Sequence, residues 1–137
     1  MNNVDLLSSQ IGTIVEYKCI THLLELGYNV LKPIGEYFKY DLGIDIDGKF
    51  YRIQCKHATK KDRSFVIKTC MSHRDGKRYT YSKKDCDFFM TEFEGKFYIL
   101  PVSNSISKRV WIETPKNKLK SCCIGKDYIA SDVLKGL

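Results

Sequence analysis

The dipeptide Asp47-Gly48 constrains the fold more than any other feature of the chain. A two-residue type I′ turn needs positive φ at both central residues, and Asp-Gly is one of the few dipeptides that tolerate this conformation. Apolar and polar residues alternate on both sides of it, as they do in the strands of a half-buried sheet. Residues 40–56 are therefore predicted to form a β-hairpin whose register is set by its turn.

The predicted register gives the hairpin two different faces. Counting outward from the turn, Ile46 pairs with Lys49, and Asp41 pairs with Gln54. Side chains alternate along a strand, so one face is apolar and the other polar. The apolar face comprises Leu42, Ile44, Ile46, Tyr51, Ile53 and Cys55. The polar face comprises Asp41, Asp45, Arg52, Gln54 and Lys56.

The polar face carries a candidate reaction site. Directly opposed residues have Cβ atoms about 5 Å apart, so the Asp41 carboxylate and the Gln54 amide oxygen can bind one hard cation. Lys56 projects from the same face. An ammonium beside a cation-binding carboxylate suits a reaction in which negative charge grows on a phosphate and a water molecule loses its proton.

These residues resemble the signature of the PD-(D/E)XK nucleases, which is an acidic residue followed on a second strand by Asp or Glu, one spacer residue and Lys. Asp41, Gln54 and Lys56 stand at those positions, while Tyr40 replaces the Pro of the family name. The match is most similar to the group I intron homing endonucleases that carry Gln-x-Lys. The likeness continues in five further places, which are residues 12–16, 27–28, 33, 81–89 and 98–101.

The resemblance implies a fold, a reaction and an assembly. The fold would be α/β (α+β), a restriction-endonuclease-like core with a mixed central β-sheet flanked by helices. The activity would be metal-dependent hydrolysis of DNA phosphodiester bonds, with Glu16, Asp41, Gln54 and Lys56 as the catalytic set. The first three would bind Mg²⁺, with Mn²⁺ as the alternative. A dimer or tetramer is implied, because each small subunit carries one site and a double-strand break needs two.

Gln54 and Glu16 are the two members of this set that the residues alone support least. A neutral amide oxygen binds a divalent cation more weakly than a carboxylate does, so the site needs further oxygen ligands. Glu16 borders the apolar stripe of the first helix, where a solvated residue is the simpler interpretation. The resemblance instead directs Glu16 to the metal. Gly12, one turn earlier, would let the helix backbone approach the sheet or DNA.

Charge favours a nucleic-acid partner. The chain has 23 Lys and Arg against 16 Asp and Glu, a net charge of +7. Residues 56–84 alone contain ten basic and two acidic residues. Such a run is typical of either a solvated loop or a surface that contacts phosphates, and its position after Lys56 favours double-stranded DNA. The predicted DNA-binding residues are Lys60, Lys61, Arg63, Arg74, Lys77, Arg78, Lys83 and Lys84.

Length and cysteine spacing predict one domain with free thiols. A chain of 137 residues fits a single domain, residues 1–137. Its six cysteines show neither CxxC pairs nor the spacing of a zinc site, and no apolar run could cross a bilayer. We expect a cytoplasmic protein with no membrane partner.

Three other functions remain open from the sequence. A Holliday-junction resolvase or a restriction-type nuclease would use the same site chemistry. A catalytically inactive DNA-binding protein with this fold is a non-enzymatic alternative, which the neutral Gln54 favours. An RNA-binding assembly factor is a more distant one.

Periodicity and turn residues predict the remaining elements. The first helix is predicted over residues 5–26, capped by Asp5 or Ser8 and ended by Gly27. A second hairpin is predicted around Glu94-Gly95. The other predicted elements are strands at 28–31, 64–69 and 110–113, an exposed basic turn at 74–78, and helices at 103–109 and 127–134.

Overall fold

The computed structural model of the chain describes residues 5–72, 75–113 and 123–137. Two α-helices lie in this part of the chain, α1 at Ser8–Glu25 and α2 at Ala130–Lys135. A 3₁₀ turn at Gly125–Asp127 comes before α2. The strands are β1 (Asn29–Leu31), β2 (Leu42–Ile46), β3 (Lys49–Cys55), β4 (Ala58–Lys61), β5 (Ser64–Lys68), β6 (Cys70–Ser72), β7 (Arg78–Thr80), β8 (Phe88–Phe93), β9 (Lys96–Pro101), β10 (Ser107–Trp111) and β11 (Cys123–Ile124).

Helix α1 ends where the sequence predicts and begins differently. Gly27 has φ of +90°. Its N–H donates to Leu24 O at 2.9 Å, and the Tyr28 N–H donates to Leu23 O at 3.1 Å, which together form a Schellman motif. Neither predicted residue caps the N-terminus. The N-cap is Leu7, whose N–H donates to Gln10 Oε1 at 2.8 Å.

A five-stranded mixed sheet forms the centre of the fold, in the order β1-β2-β3-β8-β9. Strands β3 and β8 are parallel, and the other neighbours are antiparallel. The mixed sheet was predicted, and so was the hairpin of β8 and β9, whose turn lies at Glu94-Gly95.

The two faces of this sheet are covered in different ways. On one face, α1 and α2 pack against Leu42, Ile44 and Ile53 in a common apolar cluster. On the other, Phe89 and Leu100 join a second cluster with residues of the sheet β11-β10-β5-β4. The helices therefore cover one face, and a second sheet covers part of the other. The polar side of the first hairpin opens beside that second sheet.

One element prediction is wrong, and the structure differs from the others in elements and bounds. Residues 103–109 do not form a helix, because Ser107–Trp111 is strand β10, which pairs antiparallel with β5. The strands β4, β6, β7 and β11 were not predicted, and α2 begins three residues later than the predicted helix. Part of the predicted basic turn, including Arg74, lies outside the described residues.

The thiol prediction is confirmed for the described cysteines, since Cys19, Cys55, Cys70, Cys86 and Cys123 are all free. Cys122 lies outside the described residues. Neither helix of the described chain has the length and hydrophobicity needed to cross a lipid bilayer.

Candidate active site

The predicted hairpin is present with its predicted register. Asp47 and Gly48 have φ of +52° and +84°. The ladder runs from Ile46–Lys49 to Leu42–Ile53, and it ends one pair before the predicted contact of Asp41 with Gln54. The Asp41 N–H instead donates to Ile53 O at 2.9 Å. Asp41 therefore lies in a bend at the entry to β2, not in the strand.

The bend brings the Asp41 carboxylate to the end of β3. Its Oδ2 accepts a hydrogen bond of 2.8 Å from the Cys55 N–H, between Gln54 and Lys56. Burial raises the pKa of Asp41, and the nearby charge of Glu16 raises it further. The Cys55 N–H and the charges of Lys56 and Lys32 lower it. The carboxylate is thus a half-buried anion among several charged groups.

Lys56 lies directly after β3 and is held at both ends. Its N–H donates to Met90 O at 2.9 Å, and its Nζ donates to Tyr81 Oη at 3.2 Å. Burial lowers the pKa of the amine, and the charge of Asp41 opposes that shift. The structure therefore brings Asp41 and Lys56 close enough for their charges to interact.

Glu16 belongs to the same electrostatic cluster. It lies on α1, and its Oε1 is 2.7 Å from Lys32 Nζ in the loop after β1. The pKa of Lys32 is raised mainly by the hydrogen bond to Glu16, and the charge of Asp41 also raises it. The Lys32 ammonium thus offsets part of the negative charge of both Glu16 and Asp41.

Gln54 lies on β3, half-buried, beside Phe89 in the parallel register. No hydrogen bond of its side chain is found within the described residues. Its amide oxygen is therefore not committed to another protein group.

The chemistry of these donors fits a hard divalent cation. Two carboxylates and one amide provide oxygen ligands, which Mg²⁺ and Mn²⁺ prefer, and Mg²⁺ retains several waters in such sites. The Lys32 ammonium already acts as a cation beside both carboxylates. The described residues contain no cluster of three or more His, Cys, Asp or Glu that would hold a metal without an amide or water.

A groove of about 790 Å³ opens beside Lys56, between the start of α1 and strands β4 and β5. It has basic side chains and no carboxylate in its lining. Gly12 lines the groove, and a Cβ added to it would meet no atom within 4 Å. Close packing of α1 on the sheet therefore does not require a glycine at this position. The lining includes Gly12, Lys56, His57, Lys60, Lys61 and Lys68.

The predicted DNA-binding residues lie on several elements of the described chain. Lys60 and Lys61 line the groove. Arg63 is exposed and lies 3.4 Å from Glu113. Lys77 and Arg78 are exposed at the start of β7.

Lys83 and Lys84 are exposed in a turn that Arg52 holds. The Arg52 guanidinium donates to their carbonyl oxygens at 2.6 and 2.8 Å and contacts the Asp87 carboxylate at 3.4 Å. The Arg52 N–H also donates to Asp87 Oδ2 at 2.8 Å. Asp87 therefore anchors the start of β8, and Arg52 is a structural residue.

Several residues around the site were not predicted as functional. Tyr81 and Lys32 come from distant parts of the chain, and no local pattern identifies them. Lys68 could have been found, because it alternates with the buried Phe65 and Ile67 along β5. His57 is exposed and lines the groove as well.

Comparisons with known proteins agree with this geometry. The family model described as PD-(D/E)XK endonuclease matches residues 7–128. The structure is similar to a bacterial homing endonuclease, I-Ssp6803I, with a TM-score of 0.73, 27% identity, and coverage of 93% of this chain and 92% of that one. A weaker likeness to MepB has a TM-score of 0.40 and 15% identity over 76% and 85% of the two chains. No curated protein sequence gives a significant match. The family model spans most of the chain, and the chain belongs to the PD-(D/E)XK endonuclease family.

Proposed function

We propose that this endonuclease is a Mg²⁺-dependent DNA-cleaving enzyme of the homing type that acts as a homo-oligomer. The observation that carries the proposal is that Asp41 and Lys56 lie near enough for their charges to interact, with Lys56 at a groove lined by lysines and free of carboxylates. The similarity to a bacterial homing endonuclease over nearly the whole of both chains supports it.

In this proposal Asp41, Gln54 and Glu16 bind the metal, with Mg²⁺ as the ion and Mn²⁺ as a substitute. The bound ion supplies a more acidic water and offsets the charge of the phosphate. Asp41 is held by the Cys55 N–H, so its second oxygen can point away from the strand. Glu16 would release the Lys32 ammonium when it binds the ion.

Lys56 carries the remaining electrostatic role. It orients the attacking water and offsets the negative charge that grows on the phosphate during hydrolysis. Its half-buried position strengthens this interaction, because the charges are less screened there than in water.

The DNA backbone would lie along the groove. Lys60, Lys61 and Lys68 line it beside Lys56, so a strand that contacts them passes the proposed catalytic lysine. Contacts between lysines and phosphates contribute to DNA binding without a preference for base sequence. Lys77, Arg78, Lys83 and Lys84 are exposed on other turns and would extend this contact to more of a duplex.

The proposed activity is tested by incubating plasmids that carry candidate sites with the protein, with and without Mg²⁺. Asp41→Asn keeps an acceptor for the Cys55 N–H but removes the charge, and Lys56→Met removes the ammonium. Both variants should bind DNA and fail to cut it. Asp45→Asn is the control, because among the described residues the Asp45 side chain accepts its hydrogen bond from the Gly48 N–H of the turn, away from Asp41 and Lys56. Cutting by either site variant at the parent rate would refute the assigned roles.

The same assay separates the alternative functions. An inactive DNA-binding protein would bind in a salt-dependent manner but leave the plasmid uncut in Mg²⁺ and Mn²⁺. A resolvase would prefer a four-way junction to any linear duplex. A restriction-type nuclease would cut at a short site. A homing enzyme would require a long one.

A further inference from the structure

Tyr81 contacts the proposed catalytic lysine directly. The Lys56 Nζ donates to Tyr81 Oη at 3.2 Å and lies 4.7 Å from the centre of the Tyr81 ring. In the described part of the chain, this is the hydrogen bond that the Lys56 amine makes. One tyrosine thus offers the ammonium both an oxygen acceptor and the face of an aromatic ring.

Packing holds Tyr81 in one place. Its side chain is 4% exposed, and its ring packs edge-on against Phe89 with 5.5 Å between centroids. Phe89 is fully buried and is the register partner of Gln54 across β3 and β8. The tyrosine is therefore fixed to the core on the side of the sheet that carries Gln54 and Lys56.

The contact compensates for the burial of a flexible charge. A lysine side chain has four rotatable bonds, and a half-buried ammonium loses part of its hydration. The Asp41 carboxylate attracts the ammonium, but in the described structure the two groups are not within hydrogen-bond distance of each other. The hydroxyl and ring of Tyr81 set the direction of the side chain.

We propose that Tyr81 is a positioning residue that holds the Lys56 ammonium at the phosphate, an inference that rests on the proposed role of Lys56. The tyrosine does not bind DNA or metal. It acts by fixing the lysine in the orientation that hydrolysis requires, because small displacements of a catalytic group cost much of its effect.

Tyr81→Phe tests this proposal, because it removes the hydroxyl and keeps the ring and its packing. The single-turnover cutting rate should fall about tenfold, the scale of one lost hydrogen bond to a charged group. DNA affinity, measured in Ca²⁺ to prevent cutting, should stay within about twofold of the parent. A loss of rate with unchanged binding is the signature of positioning.

Tyr98→Phe is the matched control. Tyr98 is 3% exposed and belongs to the same apolar cluster, but within the described residues it makes no hydrogen bond or cation–π contact with Lys56. It should cut at the parent rate. Tyr81→Leu removes the ring as well, so its rate should fall further than that of Tyr81→Phe, with thermal unfolding recorded to confirm that the variant folds.

The outcomes separate this proposal from the one on which it rests. If Tyr81→Phe cuts at the parent rate, or if it weakens DNA binding as much as cutting, the positioning role is wrong. If Lys56→Met cuts normally, the proposed role of Lys56 fails first. An inactive Lys56→Met together with a fully active Tyr81→Phe refutes Tyr81 alone.

Discussion

Lys32 is an ammonium beside the two carboxylates that are proposed to bind the metal. Its Nζ is 2.7 Å from Glu16 Oε1, and the charge of Asp41 acts on it as well. The side chain is 45% exposed, so it can move into solvent at small cost. An exposed cation of this kind offsets the repulsion between two carboxylates and competes with an ion for them.

Lys32→Met should therefore tighten metal binding. Exposed ion pairs contribute up to about 1 kcal/mol, so the Kd for Mn²⁺ should fall by about fivefold or less. Calorimetric titration of the protein without DNA measures this change directly. Lys18→Met is the control, because Lys18 lies on the same helix and pairs with Glu92 at 3.6 Å. Weaker metal binding in Lys32→Met would mean that Lys32 holds Glu16 in place for the ion.

Asp41→Asn should stabilise the metal-free protein. Burial raises the pKa of this carboxyl in the folded chain. The folded state then holds the proton more tightly than the unfolded state, so stability falls as pH rises through the folded pKa. The amide avoids that cost and can still accept from the Cys55 N–H.

The gain should be about 1 kcal/mol, or about 3 to 5 °C in Tm at neutral pH. Calorimetry in EDTA measures it. Added Mg²⁺ should raise the Tm of the parent and leave that of Asp41→Asn nearly unchanged. A lower Tm for the variant in EDTA would show that the carboxylate is a net stabilising group without metal.

At the scale of elements, local signals were predictable and long-range pairing was not. The Asp47-Gly48 turn and the Gly27 helix end follow from backbone conformations that neighbouring residues dictate. The predicted helix at 103–109 failed because Ser107–Trp111 pairs with β5, some forty residues earlier. Strand Ala58–Lys61 was not predicted because its exposed Thr and Lys residues lack the alternation of apolar and polar residues that marks a half-buried strand.

The candidate active site shows the same difference between local signals and long-range contacts. The predicted hairpin register places Gln54 and Lys56 on one face, and it fails only at Asp41, where a bend ends the ladder. Lys32 and Tyr81 approach from other elements, and their contacts depend on tertiary packing. A single sequence carries no local signal for such contacts.

Two glycines of the first helix segment should respond oppositely to the same substitution. Gly12→Ala adds a methyl group that meets no atom within 4 Å, so better helix propensity should stabilise the protein by about 0.5 to 1 kcal/mol. Gly27→Ala places a Cβ at φ of +90°, which should destabilise it by about 1 to 2 kcal/mol. Urea unfolding measures both changes.

Gly12→Ala also reports on the groove. Gly12 lines it, so the added methyl group should weaken DNA binding although the free protein is more stable. Gly27→Ala should bind DNA with parent affinity under folding conditions, because Gly27 is not in the lining. Unchanged binding by Gly12→Ala would place the DNA away from the start of α1.

At the scale of the whole molecule, one chain offers one proposed site. Asp41 and Lys56 flank a single hairpin, so the proposed set of Glu16, Asp41, Gln54 and Lys56 makes up one site in each chain. Hydrolysis at one site breaks one strand. Cutting both strands of a duplex in one encounter therefore requires two copies of the chain, arranged by symmetry so that each site faces its own strand.

Mixed oligomers of parent and Asp41→Asn chains test this requirement. When the two are unfolded together and refolded at equal amounts, about half of the dimers carry one active site if subunits assort randomly. Such dimers should nick a supercoiled plasmid, since their second site still binds but does not hydrolyse. Nicked circles should therefore accumulate at the expense of linear product, as gel electrophoresis would show. A mixture that yields only linear product, in proportion to the parent chain, would mean that one subunit cuts both strands in turn.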